Sequence, residues 1–189
     1  MSVSFKETTP MALYLFEIVP STHERSAAQA IITAVVEAAA SASAAVLESQ
    51  VTTGNGRVFT VVEHDGDPAA LETAVRQGLE SAGAAEITGP DEVRLVGAEI
   101  EDIRGLSASA DYLVEWDIPA EIDMETYLTR KKANSPKYAQ VPEVSFLRTY
   151  VREDTVKCLC FYDAPDEETV VRAREVVSTP IDRLHKLAD

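Results

Sequence analysis

The sequence predicts an α+β fold of two tandem βαββαβ modules with antiparallel sheets, packed against each other as an internal pseudo-dimer of α/β-barrel type. Three observations carry this. Tyr14-Leu15-Phe16-Glu17 returns as Tyr112-Leu113-Val114-Glu115, and each copy is followed by a proline, Pro20 and Pro119, that ends a strand. The signals after each copy then recur in one order: helix, strand, strand, helix, strand. Finally, 189 residues divided in two leave modules of about half that length, which bury their own surface poorly and gain from a partner over the bare sheet face.

In the first half, Met11 to Val19 alternates as a strand, and Ser26 to Ala42 is an Ala-rich helix with Ile31, Ile32, Val35, Val36 and Ala39 at helical spacing. Ala45 to Thr52 and Arg57 to His64 form strands around Gly54-Asn55-Gly56, residues that tolerate positive φ. Asp67 and Pro68 open a helix that stops at Gly83, and Glu92 to Ile100 is the last strand. In the second half, Tyr112 to Ile118 is a strand and Asp123 caps a helix to about Ala133. Asn134 to Pro142 is irregular, and Ser145 to Val151 with Val156 to Asp163 forms a hairpin. Asp166 caps a helix to about Val177, and Pro180 restarts a short helix or strand. The expected organisation is a disordered leader 1–10, a module over 11–104, a linker 105–110 and a module over 111–189. The order βαββαβ is that of ferredoxin-like modules, with both helices on one sheet face.

Composition narrows the function classes. A net charge of −15, from 32 acidic and 17 basic residues, argues against nucleic acid and anionic membranes as partners. No apolar run approaches the roughly 18 residues of a membrane span. Cys158 and Cys160 lie too close along one strand for ordinary disulfide geometry, which predicts a reducing, cytoplasmic setting.

Strand parity places the candidate site, because residues i and i+2 share a face. It assigns Glu115, Arg148, Tyr150, Cys160 and Tyr162, with Glu17 and Glu48 from the first half, to the face between the modules. Leu147, Thr149, Val151, Leu159 and Phe161 then face the helices. The expected ligand-binding residues are Glu17, Glu48, Glu115, Arg148, Tyr150 and Tyr162. Cys158 and Cys160 are thiols that can ligate a soft or borderline metal. Neither a glycine-rich phosphate loop, a His-Glu-x-x-His motif nor a nucleophile elbow is present.

The second half also resembles a small bacterial family of nickel-binding ferredoxin-like domains. The resemblance rests on Tyr112-Leu-Val-Glu115, Phe146-Leu-Arg-Thr-Tyr-Val151, Lys157-Cys-Leu-Cys-Phe-Tyr-Asp-Ala-Pro-Asp166 and Pro180-Ile-Asp-Arg183. The first half shares only Glu17 and the layout. Members of that family often carry a histidine near the positions of Arg172 to Val176, where this chain has none. The resemblance implies nickel or another divalent transition metal, and parity and thiol chemistry make Glu115, Cys158 and Cys160 its expected ligands. The leading expectation is a non-enzymatic binding protein that holds a metal ion or small ligand between its modules, with further homo-oligomerisation open. The runner-up is a cofactor-independent oxygenase or isomerase in which a raised-pKa Glu17 or Glu115 acts as base and Arg148 binds an anion.

Overall fold

The computed structural model describes residues 11–104 and 110–189. The expected leader, and all of the expected linker except Ala110, lie outside them. Among the described residues there are eight strands and five α-helices. The first module runs β1 (Ala12–Pro20), α1 (Arg25–Ser41), β2 (Ala45–Val51), β3 (Val58–His64), α2 (Pro68–Ala82), β4 (Ala84–Val96) and the short α3 (Ile100–Arg104). The second runs β5 (Tyr112–Asp117), α4 (Met124–Asn134), a 3-10 helix (Ser135–Gln140), β6 (Ser145–Arg152), β7 (Lys157–Asp163), α5 (Glu167–Val176) and β8 (Arg183–Lys186).

Local chemistry sets the boundaries. Asp67, Asp123 and Asp166 each accept a hydrogen bond from a first-turn amide of the following helix. Gly83 closes α2 in the left-handed conformation, at φ 83°. Within α1, Ile31, Val35 and Ala39 are buried together with Ala28 and Ala38, whereas Val36 is exposed. The last strand of the first module begins earlier than Glu92. It starts at Ala84 and passes through Gly89-Pro90, a turn signal in sequence, by way of a bulge against Leu15 and Glu17 of β1. Gly89 is required there: φ is +108°, and a Cβ would lie 2.3 Å from the Leu15 carbonyl oxygen.

All strand pairs are antiparallel, in the order β2-β3-β1-β4-β6-β7-β5-β8. Each module contributes four neighbouring strands in the ferredoxin-like order. Edge strand β4 pairs with edge strand β6 from Val93–Arg152 to Val96–Thr149. Arg94–Glu153 and Arg152–Asp91 ion pairs brace that junction. At the other end, a Thr52–Leu187 bridge and two flanking bonds, Thr53 N–H to Lys186 O (2.7 Å) and Ala188 N–H to Val51 O (2.7 Å), join the end of β2 to the end of β8. The sheet therefore closes on itself as a barrel, with the helices outside.

Closure creates three cores. One lies between α1, α2 and the first half-sheet, and is built from Phe16, Ile18, Ile31, Val35, Leu71, Val75 and Leu79. A second lies under α4 and α5. The third fills the barrel, with Leu13, Leu15, Phe59 and Val61 from one module against Leu113, Tyr150, Leu159 and Phe161 from the other.

Candidate functional site

The barrel interior is a packed hydrophobic core crossed by ion pairs. Glu17 and Glu115, the repeated glutamates, both point inward. Lys157 Nζ bridges them, 2.6 Å from Glu17 Oε2 and 2.9 Å from Glu115 Oε1. Glu115 also accepts from Arg183 Nε at 2.9 Å and lies 2.7 Å from His185 Nε2. Its carboxyl is fully buried, and burial alone would raise its pKa. The His185 hydrogen bond and the Lys157 and Arg183 charges overcome that and hold it at about 2. Glu115 is thus locked as a carboxylate, and the expectation of a raised-pKa base there is overturned. Nearer the middle of the barrel, Arg148 grips Glu48 through Nε (2.7 Å) and Nη2 (2.5 Å) and stacks over Phe161 at 4.8 Å. Tyr150 Oη also donates to Glu48 Oε1. These contacts give Glu48, Arg148 and Tyr150 protein partners for their buried polar groups.

The structure brings Glu17, Glu48, Glu115, Arg148 and Tyr150 to the face between the modules. It sends Cys158, Cys160 and Tyr162 to the opposite face. Glu115 lies beside Leu159 in the ladder, and Trp116 and Val114 lie beside Cys158 and Cys160. Residues directly opposite in an antiparallel pair share a face, so both thiols look toward α4 and α5. Leu159 and Phe161 look into the barrel instead. A metal held jointly by Glu115, Cys158 and Cys160 is therefore excluded, because the sheet separates carboxylate from thiols. No three His, Cys, Asp or Glu side chains gather as metal ligands among the described residues.

On the helix side, the second module holds a cleft between α4, the 3-10 helix, α5 and β7. Its lining includes Trp116, Tyr127, Arg130, Lys131, Tyr138, Cys158, Cys160 and Arg174. About 30 Å³ is open to the centres of water-sized atoms, room for a small guest. Arg174 is the largest fully buried side chain described, and among the described residues it pairs with no carboxylate. It donates to Tyr162 Oη (3.1 Å), Cys160 Sγ (3.4 Å) and Pro180 O (2.6 Å), and Tyr162 Oη lies 2.7 Å from Tyr138 Oη. Arg174 Nε and Tyr127 Oη are buried without a hydrogen-bond partner. Lys131 Nζ sits 4.0 Å from Cys160 Sγ and 4.5 Å from the centre of the Phe146 ring. The Cys160 thiol is held well below its ordinary pKa by the hydrogen bond with Cys158 and the charges of Lys131 and Arg174, against burial. Cys158 is pushed up by the same contact and by burial. Burial likewise raises Tyr127, Tyr162 and Tyr138, the last to about 12.

The cations of the cleft lie on helices, which strand parity did not reach. Arg174 follows Val170 and precedes Val177 on the buried stripe of α5, at spacings of four and three. Lys131 follows Tyr127 by four on α4. A cation in an apolar helical stripe is the signal that marks them.

Residues 112–187 match the family model described as Nickel responsive protein SCO4226-like. No curated protein matches the chain. Among solved structures, a putative chlorite dismutase superposes with a TM-score of 0.56 at 12% identity, over 94% of this chain and 95% of that one. A putative monooxygenase from Fusobacterium nucleatum gives 0.52 at 11%, over 95% and 92%. One from Lactobacillus acidophilus gives 0.50 at 9%, over 95% and 93%. At these identities the likeness is one of fold alone. No described helix is long and apolar enough to cross a membrane.

Proposed function

We propose that this chain is a non-enzymatic small-ligand binding protein, that its site is the cleft of the second module, and that the ligand is a compact anion. The observation that carries this is Arg174, a guanidinium that stays charged and is buried without a carboxylate partner among the described residues. Arg130 and Lys131 join it in the lining, which contains no Asp or Glu in a chain of net charge −15. A cationic recess on an acidic protein draws anions and repels metal cations. Tyr127 Oη and Arg174 Nε are donors without an acceptor among the described residues, and an oxyanion supplies one.

The match over residues 112–187 favours a second reading, nickel held by Cys158 and Cys160. Against it, Lys131 and Arg174 already crowd Cys160, and among the described residues no carboxylate or imidazole lines the cleft. Calorimetric titration of the full chain with inorganic phosphate, with benzoate and with nickel chloride separates the two. Saturable anion binding that is lost in Lys131→Ala and weakened in Tyr127→Phe supports the anion. Stoichiometric nickel uptake that Cys160→Ser abolishes, with no anion binding, overturns it.

A further inference from the structure

We propose that Cys160 is a site of oxidation by small hydroperoxides, with the cleft as their route to the sulfur. The geometry singles out this thiol. Three donors converge on its sulfur: Thr149 Oγ1 at 3.1 Å, Arg174 Nη1 at 3.4 Å and Lys131 Nζ at 4.0 Å. A sulfur facing three donors, two of them cationic, acts as acceptor, and the thiolate is the form that accepts best and reacts as a nucleophile. Buried cysteines in apolar surroundings are inert, whereas those beside Lys or Arg are activated. Cys158, on the same strand and face, has neither cation within bonding distance among the described residues. Cys160 is almost wholly buried, yet it borders the cleft, whose open space suits a molecule of two oxygens. Tyr127 and Arg174 belong to the same lining, and Tyr127 Oη and Arg174 Nε, which have no hydrogen-bond partner among the described residues, are donors available to those oxygens.

The chemistry balances with hydrogen peroxide as oxidant. The Cys160 thiolate attacks one peroxide oxygen, the S–O bond forms and the O–O bond breaks. The departing hydroxide takes a proton from the Lys131 ammonium and leaves as water. Sulfur loses two electrons to the peroxide and becomes the sulfenic acid. The proposal shares a location with the anion reading but needs no anion bound.

The test is peroxide treatment of the folded full chain with dimedone as trap, followed by peptide mass mapping and rate measurement. The expected adduct is on Cys160 and not on Cys158, forming about ten-fold faster than on the same chain in denaturant. Lys131→Gln slows it, with thermal melts confirming that the variant folds. Adduct on Cys158, adduct on neither thiol, or a rate no faster than in denaturant overturns the proposal. The wild-type result stands alone if a variant fails to fold. Cys160→Ser keeps every cation of the cleft, so phosphate titration of that variant reports on the anion reading separately.

Discussion

The two modules share one topology and differ in what lies between helices and sheet. In the first, Ala, Val, Ile and Leu of α1 and α2 meet Tyr14, Phe16 and Ile18 of β1, and His64 edges that layer beside Tyr14. In the second, the equivalent layer contains Tyr127, Tyr138, Tyr162, two thiols and a buried arginine. The glutamates differ as well. Glu115 is held by Lys157, Arg183 and His185. Glu17 has Lys157 at 2.6 Å and Arg57 only at 3.6 Å, and its Oε1 makes no hydrogen bond. One half therefore has a mostly apolar layer beneath its helices, and the other a layer rich in hydroxyls, thiols and cations.

The largest expected effect tests the glutamates. Glu115→Gln leaves Lys157, Arg183 and His185 facing a neutral amide and should cost about 3–5 kcal/mol by urea unfolding. The same residue predicts a pH dependence. Its folded pKa of about 2 lies below the ordinary 4.5, so its contribution is complete above that ordinary value and is lost as pH falls through the folded one. Wild type should lose about 3 kcal/mol between those values that Glu115→Gln does not lose. Parallel loss in both proteins would mean that other carboxylates dominate.

Next in size is Leu79→Ala, which opens a cavity in the apolar layer of the first module and should cost about 3 kcal/mol. Glu17→Gln should cost about 1–2 kcal/mol, because Lys157 keeps Glu115. A cost equal to that of Glu115→Gln would abolish the asymmetry between the copies. The smallest effect is the sharpest: Tyr127→Phe removes an unpartnered buried hydroxyl and should leave stability within about 1 kcal/mol of wild type, on the favourable side. Under the anion reading it nonetheless weakens binding. A large stability loss would show that the hydroxyl has a structural partner.

Much of the fold was legible because its signals are local. The aspartate caps, the Gly54-Asn55-Gly56 turn and the repeated Tyr-Leu-x-Glu strand are fixed by chemistry within a few residues. The site was legible by halves. Glu17, Glu48, Glu115, Arg148 and Tyr150 fall on the face that parity gave them. Cys158, Cys160 and Tyr162 do not, for a physical reason. When a sheet closes into a filled barrel, both faces of its strands are apolar, and greasiness no longer tells inside from outside. Leu159 and Phe161 read as helix-facing core and turn out to be barrel core. The bulge at Leu147, between the Phe146–Tyr162 and Arg148–Phe161 pairs, resets the register of β6 against β7 and cannot be read from composition. The first-module strand from Ala84 was hidden for a similar reason, since Gly89-Pro90 serves as a bulge within it.

The seam between β2 and β8 has a consequence in time. It ties Val51, Thr52 and Thr53 to Lys186, Leu187 and Ala188, positions separated by most of the chain. Each module can form its own hairpins from near neighbours, but the seam must wait until both exist and their ends meet across a long loop, which is the slow kind of pairing. Before that moment β2 is an unprotected edge strand open to a neighbouring chain. Closing the ring thus ends the interval in which this protein is most exposed to misassembly.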